Sequence, residues 1–262
     1  SLDADHSSGI VAGVKAINFA AKYAKKLGIC AVSIYNSSHP GALSSVTLEA
    51  IKHNLICIGF ANADNLILSP GGTRSFFGTN PISIVAPMKK NSPFCIDMSS
   101  SQISWNKLSI YKEKKIKVKD GLIADNKGNK TTDPNEAKSL ISIGKYKGYV
   151  LASAIEMLCS IYSGMPFGRQ IDKMFTAPIN KTRRLSQFYI LLRTDGTITH
   201  KNFINSLSKM SNQVRDEPAR KNQKVKMPND KENAMYKLRS KKVIIIIHKL
   251  TLKVKADIID QL

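Results

Sequence analysis

The chain has 262 residues, of which 42% are hydrophobic and 23% charged, a composition typical of a globular protein with a sizeable core. Its longest candidate for a membrane span, residues 243–247, is far too short to cross a bilayer, so we expect no membrane partner. The formal charge of +21 would suit a polyanionic partner, but no nucleic-acid-binding motif accompanies it. Because Lys, Ile and Asn are abundant throughout, we favour compositional bias and expect no nucleic-acid partner.

A β-α-β alternation is predicted for the first part of the chain. Apolar residues recur at helical spacing through residues 9–26, where basic residues before a glycine are typical of a helix end. Two apolar runs, residues 29–35 and 55–62, predict strands, with a helix between them at 43–53. This alternation favours an α/β sheet.

The turn after the first of these strands carries the sequence Ser-His-Pro-Gly-Ala at residues 38–42. Ligands of open α/β sheets bind at the carboxyl ends of strands, which is where this turn is predicted to lie. Imidazole titrates near neutrality, so His39 can take a proton from a hydroxyl group or return one to a carbonyl group. A single histidine in a polar turn is more often structural, so the motif needs support from the rest of the chain.

Two glycine-containing loops follow at residues 69–73 and 77–81, and such loops can present backbone N–H groups to phosphate. Neither GxGxxG nor GxxxxGK[ST] is present, so the Rossmann and P-loop fingerprints are absent. Strands are predicted at 82–88 and 94–98, and the second ends in the sequence Asp-Met-Ser-Ser-Ser at 97–101. Polar groups therefore follow the carboxyl end of a second predicted strand.

A long apolar helix is predicted at residues 150–162, after a basic segment that contains the single tryptophan, Trp105. Lys147 at the start of this helix would add its charge to the positive end of the helix dipole and attract phosphate or carboxylate, unless it is simply solvated. Glu156 inside the helix is expected to be either paired or exposed. The further predicted elements are a strand at 185–193, helices at 201–214 and 231–240, a strand at 243–247 and a helix at 253–262.

The four cysteines, Cys30, Cys57, Cys95 and Cys159, lie inside apolar runs, and no pair has the CxxC spacing of a zinc or redox site. We therefore expect buried free thiols and no metal site, as is typical of a reducing cytoplasm. The first six residues contain neither a basic start nor an apolar stretch, so no signal peptide is predicted and a cytoplasmic location is expected.

Taken together, seven short motifs make the chain resemble the malate/L-lactate dehydrogenase family, whose nicotinamide-binding domain is not a Rossmann fold. The motifs are collinear and cover residues 10–170 well, whereas the remainder matches only loosely. They are Ser-His-Pro-Gly-Ala at 38–42, Gly-Thr-Asn-Pro at 78–81, Asp-Met-Ser at 97–99, Trp-Asn-Lys at 105–107, Thr-Thr-Asp-Pro at 131–134, Lys-Gly-Tyr at 147–149 and Gly-Met-Pro-Phe-Gly-Arg-Gln at 164–170.

The resemblance implies an α/β fold with a non-Rossmann, nicotinamide-binding mixed sheet and flanking helices over residues 1–195, followed by a mostly helical part over 196–262. It implies an NAD-dependent oxidoreductase, with NADP as the alternative, that works as a homodimer on a small 2-hydroxy acid. The expected reaction is the oxidation of ureidoglycolate to oxalurate, in purine catabolism. The implied site residues are His39 as proton acceptor and Ala63, Asp97, Met98, Ser99 and Lys147 as cofactor-binding residues.

Two alternatives stay open. The first is a malate or L-lactate type of dehydrogenase, or a keto-acid reductase, of the same family. The second is a truncated, inactive remnant or a basic binding module. The family's helical N-terminal segment, which serves the substrate with an Arg and a Ser-His pair, has no match in these residues, and Asn106, Lys145 and Val150 stand where glycine is usual. We therefore expect little or no activity from the 262 residues alone.

Overall fold

The structure is a computed structural model, and it describes residues 1–89, 92–174, 176–178 and 181–242, the side chains of 241 and 242 excepted. The chain divides into two compact units, residues 1–210 and 211–262. The strand predicted at 243–247 and the helix predicted at 253–262 lie outside the described residues. The domain boundary at residue 195 stays a prediction.

Two β-sheets are built from eleven strands in the described part of the chain. The strands are β1 Leu2–Asp3, β2 Ile29–Ser37, β3 Leu55–Ala61, β4 Ile67–Leu68, β5 Ser75–Phe77, β6 Ile82–Ala86, β7 Phe94–Met98, β8 Ile123–Ala124, β9 Lys130–Thr131, β10 Ser139–Leu140 and β11 Leu185–Arg193. The main sheet has the order β1-β2-β11-β3-β6-β7, and the second has the order β5-β4-β10-β8-β9. The five strands of the main sheet that were predicted from apolar runs are confirmed within two residues at each end.

The main sheet is mixed, and its topology collects several chain segments at one edge. Strand β1 runs parallel to β2, whereas every other neighbouring pair is antiparallel. Strands β2, β3 and β7 therefore point the same way, and their carboxyl ends lie where β6 and β11 begin. This edge is called the carboxyl edge below. The mixed α/β architecture confirms the predicted fold class.

The second sheet was not predicted from the sequence. Its strands are two or three residues long, which is too short for an apolar alternation to be recognisable. A separate apolar cluster lies around it and includes Ile103, Leu108, Ile123 and Leu140. This cluster explains why the segment between β7 and the 150–162 helix folds even though its local patterns are weak.

The helices predicted within the described residues are confirmed, whereas the helix Trp105–Glu113 was not predicted. They are α1 Gly9–Leu27, α2 Leu43–Thr47 with a 3-10 turn at Leu48–His53, α3 Trp105–Glu113, α4 Tyr146–Glu156 with a π-helical turn at Met157–Ile161, a 3-10 turn at Gly168–Gln170, α5 His200–Asp216 and α6 Asp230–Lys242. Helix α4 starts four residues before the predicted 150, directly after the positive-φ residues Gly144 and Lys145. In the second unit, Arg215 Nη2 pairs with Asp230 Oδ1 at 2.9 Å. No helix in the described residues is long and apolar enough to span a bilayer.

Helix α1 forms the main core with the sheet. Its buried face is largely alanine, and it packs with Ile34, Tyr189 and Leu191 of the neighbouring strands. All four cysteines are free thiols, as predicted, although Cys30 is only partly buried. Burial raises the pKa of Cys57 to about 12, so that thiol stays protonated and unreactive at neutral pH.

Candidate active site at the carboxyl edge

His39 lies in the turn that follows β2 at the carboxyl edge, as the sequence predicted. The Gly41 N–H donates a hydrogen bond to His39 Nδ1 at 2.9 Å. Because Nδ1 accepts this bond, the proton of the neutral ring belongs on Nε2. Part of the residue is solvent-exposed although its surroundings desolvate the ring, and Nε2 is the ring nitrogen left for an incoming ligand.

The surroundings of His39 favour its uncharged form. Loss of solvent around the imidazole lowers the pKa of His39 below its ordinary value of 6.5, and the nearby Arg183 charge lowers it further. Asp64 acts in the opposite direction, but less strongly than either. The ring is therefore neutral at pH 7, which is the state that a proton acceptor requires.

Asp64 and Arg183 were not singled out from the sequence. Asp64 comes three residues after β3 and Arg183 two residues before β11, so the topology places both at the carboxyl edge. Arg183 Nη2 donates to Asp64 Oδ1 at 2.5 Å, and only 13% and 7% of the two side chains are exposed. The Met174 N–H donates to Asp64 Oδ2 at 3.2 Å, and Arg183 Nε donates to the Asp172 carbonyl oxygen at 3.0 Å. Each member of the ion pair therefore has a second hydrogen bond, to the backbone of residues 172–174.

The His39 turn is fixed against the start of helix α1. The Gly9 N–H donates to Ser38 Oγ at 2.9 Å. A Cβ on Gly9 would collide with the Ser38 carbonyl oxygen and lie 2.8 Å from the His39 carbonyl carbon, so only glycine permits this approach. Buried Gln187 of β11 donates both to Ser37 Oγ at 2.9 Å and to the Gly9 carbonyl oxygen at 3.1 Å.

The end of strand β7 is joined to the same turn. Asp97 Oδ2 accepts a hydrogen bond from the Ser44 N–H at 2.9 Å, at the start of helix α2. Met98 is 39% exposed, and the Ser99 hydroxyl is within 3.1 Å of Ser101. The predicted strand-end residues Asp97, Met98 and Ser99 are therefore on the carboxyl edge, with Asp97 linked to the segment that follows His39.

Helix α4 brings Lys147 to this strand end. The Ser100 carbonyl oxygen accepts from the Ile143 N–H at 2.9 Å, and the Ser100 N–H donates to the Thr79 carbonyl oxygen at 3.0 Å. A Cβ on Gly148 would collide with the Ser100 carbonyl oxygen, so glycine allows the first turn of the helix to touch the strand end. Lys147 is exposed on that turn. The three segments that carry Lys147, Ser99 and Thr79 are thus adjacent.

Ala63 is also at this edge, but it is buried. Its N–H donates to Asn80 Oδ1 at 3.0 Å, and 5% of its surface is exposed. Asn80 Nδ2 donates to Glu156 Oε2 at 2.7 Å, and the Gly168 N–H donates to Glu156 Oε1 at 2.6 Å. Burial raises the pKa of Glu156, whereas these two hydrogen bonds oppose the increase. Glu156 is therefore paired with hydrogen-bond donors inside the fold and braces the 78–81 loop against α4.

Two clefts are lined by residues other than the six site residues predicted from the sequence. One of about 750 Å³ is lined by fourteen residues that include Arg74, Lys138, Arg169 and Lys173. The other, of about 680 Å³, is lined by the 69–72 loop together with Lys145 and Tyr146. Neither is lined by His39, Asp97 or Lys147, so cavity size alone does not mark the carboxyl edge.

The chain is similar in sequence to one family of known proteins. The sequence model of the family described as malate/L-lactate dehydrogenase matches residues 1–255. Ureidoglycolate dehydrogenase (NAD(+)) from Escherichia coli is 30% identical over 191 residues, which are 73% of this chain and 54% of the relative. Malate dehydrogenase from Pyrococcus abyssi is 29% identical over 225 residues, 82% of this chain and 61% of the relative.

A solved structure of sulfolactate dehydrogenase from Methanocaldococcus jannaschii matches with a TM-score of 0.85 at 27% identity. The match covers 95% of this chain and 72% of that chain. The chain therefore spans about half to three-fifths of the length of the two curated relatives and about three-quarters of the solved structure.

Proposed function

Because the chain belongs to the malate/L-lactate dehydrogenase family, we propose that it carries the cofactor-binding and proton-transferring parts of a nicotinamide-dependent 2-hydroxy-acid dehydrogenase. The observation that supports this most strongly is the convergence at the carboxyl edge. The turn with His39, the end of β7 with Asp97 and the first turn of α4 with Lys147 are joined there by hydrogen bonds and close backbone packing.

The residues at the α4 side of this edge fit a dinucleotide. The helix N-terminus and Lys147 together provide positive charge for a pyrophosphate. The Ser100 hydroxyl is buried and has no hydrogen-bond partner within the described residues, so it leaves a polar atom unsatisfied beside this turn. Lys147, Ser99 and the backbone near Ala63 would hold the cofactor, proposed as NAD with NADP as the alternative. The bound nicotinamide would supply the hydride acceptor.

His39 is proposed to accept the proton of the substrate hydroxyl group. In the tautomer that the Gly41 hydrogen bond favours, Nε2 already carries the ring proton. Nε2 can therefore accept the hydroxyl proton only when the ring's own proton is on Nδ1, and the hydrogen bond from the Gly41 N–H to Nδ1 must then break. The loss of such a bond costs about 1 kcal/mol, which is small against the contribution of general-base catalysis. In the reverse direction the imidazolium returns the proton to the carbonyl oxygen and the Gly41 bond re-forms.

Ureidoglycolate is the proposed substrate, with oxalurate as the product. Relatives named for malate and for sulfolactate are about as similar to the chain, and all of these compounds are small 2-hydroxy acids. A homodimer and a cytoplasmic location belong to the same proposal.

The experiment is an assay of nicotinamide reduction with NAD and NADP on ureidoglycolate, malate, sulfolactate and lactate. If the chain retains activity, His39→Asn should lower turnover by about 10²–10⁴-fold, the range of general-base catalysis. His53→Asn is the matched control. His53 lies two residues before β3, at the edge of the sheet opposite the carboxyl edge, and its side chain is hydrogen-bonded to Asn18. Equal turnover by His39→Asn and the unaltered chain would contradict the role of His39. Absence of both nucleotide binding and turnover would favour the inactive remnant.

A further inference from the structure

We infer that Arg183 and Asp64 form a positioning pair for the His39 turn, in which Asp64 holds the Arg183 cation at the carboxyl edge, where β11 enters between β2 and β3. The inference rests on the proposed function, because it assigns to the pair a purpose in proton transfer. Neither residue is proposed to touch the substrate or the cofactor.

The strand order brings Asp64 and Arg183 to the edge of the sheet that carries His39. Residues 64 and 183 are 119 positions apart, yet β3 ends and β11 begins at the carboxyl edge where His39 follows β2. Strand β11 lies between β2 and β3 in the sheet, so the residue that leads into β11 enters between the other two segments. Because of this strand order, Arg183 lies between the His39 turn and Asp64.

The pair is also held in place by burial and by hydrogen bonds to the backbone. Both side chains are largely buried, and each has a hydrogen bond to the backbone of residues 172–174 in addition to the ion pair itself. A buried ion pair is weak evidence for stability, because the desolvation of two charges offsets their attraction. We attribute the presence of this ion pair at the carboxyl edge to its effect on the exposed His39, because the pair directs a fixed charge toward that side chain.

Two other acidic side chains in the described part of the chain have partners of their own. Asp97 accepts the Ser44 N–H, and Asp172 pairs with Lys181 at 3.0 Å. Among the described residues, the charges of Arg183 and Asp64 act on the imidazole in opposite directions, and the effect of Arg183 is the larger of the two. A ring kept neutral in this way retains the lone pair that a proton acceptor needs, down to a lower pH than an isolated histidine would.

The test is an NMR titration of ¹⁵N-labelled histidine, with the His39 signal assigned by its loss in His39→Asn. Removal of the cation in Arg183→Gln should raise the pKa of His39, and removal of the anion in Asp64→Asn should lower it further. Arg183→Lys should restore values near those of the unaltered chain. The double variant, in which no buried charge is left unpaired, should show a smaller rise than Arg183→Gln alone.

Arg193→Gln is the matched control, since Arg193 pairs with Asp195 at the opposite end of β11. It should leave the titration of His39 unchanged. Opposite shifts of the His39 pKa in Arg183→Gln and Asp64→Asn would support the positioning pair. Shifts of the same sign would overturn it, and so would unchanged pKa values in variants whose cooperative melting shows that they are folded.

Turnover is measured separately, so the two proposals can fail independently. In an active protein, Arg183→Gln should move the acidic limb of the kcat/KM profile to higher pH. If the NMR shifts appear without turnover in any variant, the positioning pair stands and the proposed dehydrogenase activity of the chain fails. If turnover depends on His39 but its pH profile is the same in Arg183→Gln, the pair has no purpose in proton transfer.

Discussion

The replacement of Gly148 by alanine sets helix propensity against close packing at the proposed cofactor site. Alanine in place of glycine inside a helix gains about 1 kcal/mol in propensity. Here the new Cβ would collide with the Ser100 carbonyl oxygen and lie 2.7 Å from the Ile143 backbone nitrogen, and neither backbone atom can rotate away. The same oxygen accepts the Ile143 N–H, so that hydrogen bond is at risk as well. Because overpacking alone costs about 1–3 kcal/mol and the bond about 1 more, we expect a net loss of about 1–3 kcal/mol.

The assay is urea unfolding together with a titration of NADH. Gly148→Ala should lower the free energy of unfolding and weaken NADH binding, because the helix must move away from the strand end that carries Ser99. Ser153→Ala is the control, since Ser153 is half-buried in the same helix. This variant gains helix propensity and loses only the hydrogen bond from the Ser153 hydroxyl to the Val150 carbonyl oxygen at 2.7 Å. A Gly148→Ala protein as stable as Ser153→Ala, with unchanged NADH affinity, would refute the contact between α4 and the strand end.

Three further outcomes follow from the same geometry. Lys147→Ala should weaken NADH binding by about 10- to 150-fold, the loss of one charge-assisted contact, as measured by quenching of Trp105 or by calorimetry; unchanged affinity would remove Lys147 from the site. Because burial raises the pKa of Glu156 above its ordinary 4.5, its contribution to stability is present below that value and is lost as pH rises through the raised pKa. Glu156→Gln should therefore show a smaller fall in unfolding free energy from pH 4.5 to 7 than the unaltered chain, and an equal fall would contradict this assignment. Duplex DNA should bind only at low salt, as expected of scattered lysines, and binding that persists at physiological salt would favour a basic binding module.

Five strands of the main sheet were predictable because each is an apolar run of at least five residues, whereas the two-residue strand β1 was not predicted. The position of His39 at a strand end followed from the chain order, since the turn comes directly after such a run. The second sheet was not predictable in this way, because its strands are held by the cluster around Ile123 and Leu140 and not by a local pattern.

The Asp64–Arg183 pair shows a different limit of sequence reasoning. Its partners are separated by 119 positions, and Arg183 stands in a basic run that resembles many others in a chain of charge +21. Only the strand order, which inserts β11 between β2 and β3, brings them together beside His39. Glu156 was foreseen as either paired or exposed, and the fold decides this by placing Asn80 and Gly168 against it.

A crystal structure of the chain with bound NADH tests the central claim most directly. The proposed site predicts a dinucleotide along the carboxyl edge, with a phosphate oxygen within hydrogen-bond distance of Lys147 Nζ and the nicotinamide ring next to His39. Density for NADH in the cleft of about 750 Å³ lined by Arg74 and Arg169, with none along the carboxyl edge, would contradict the claim.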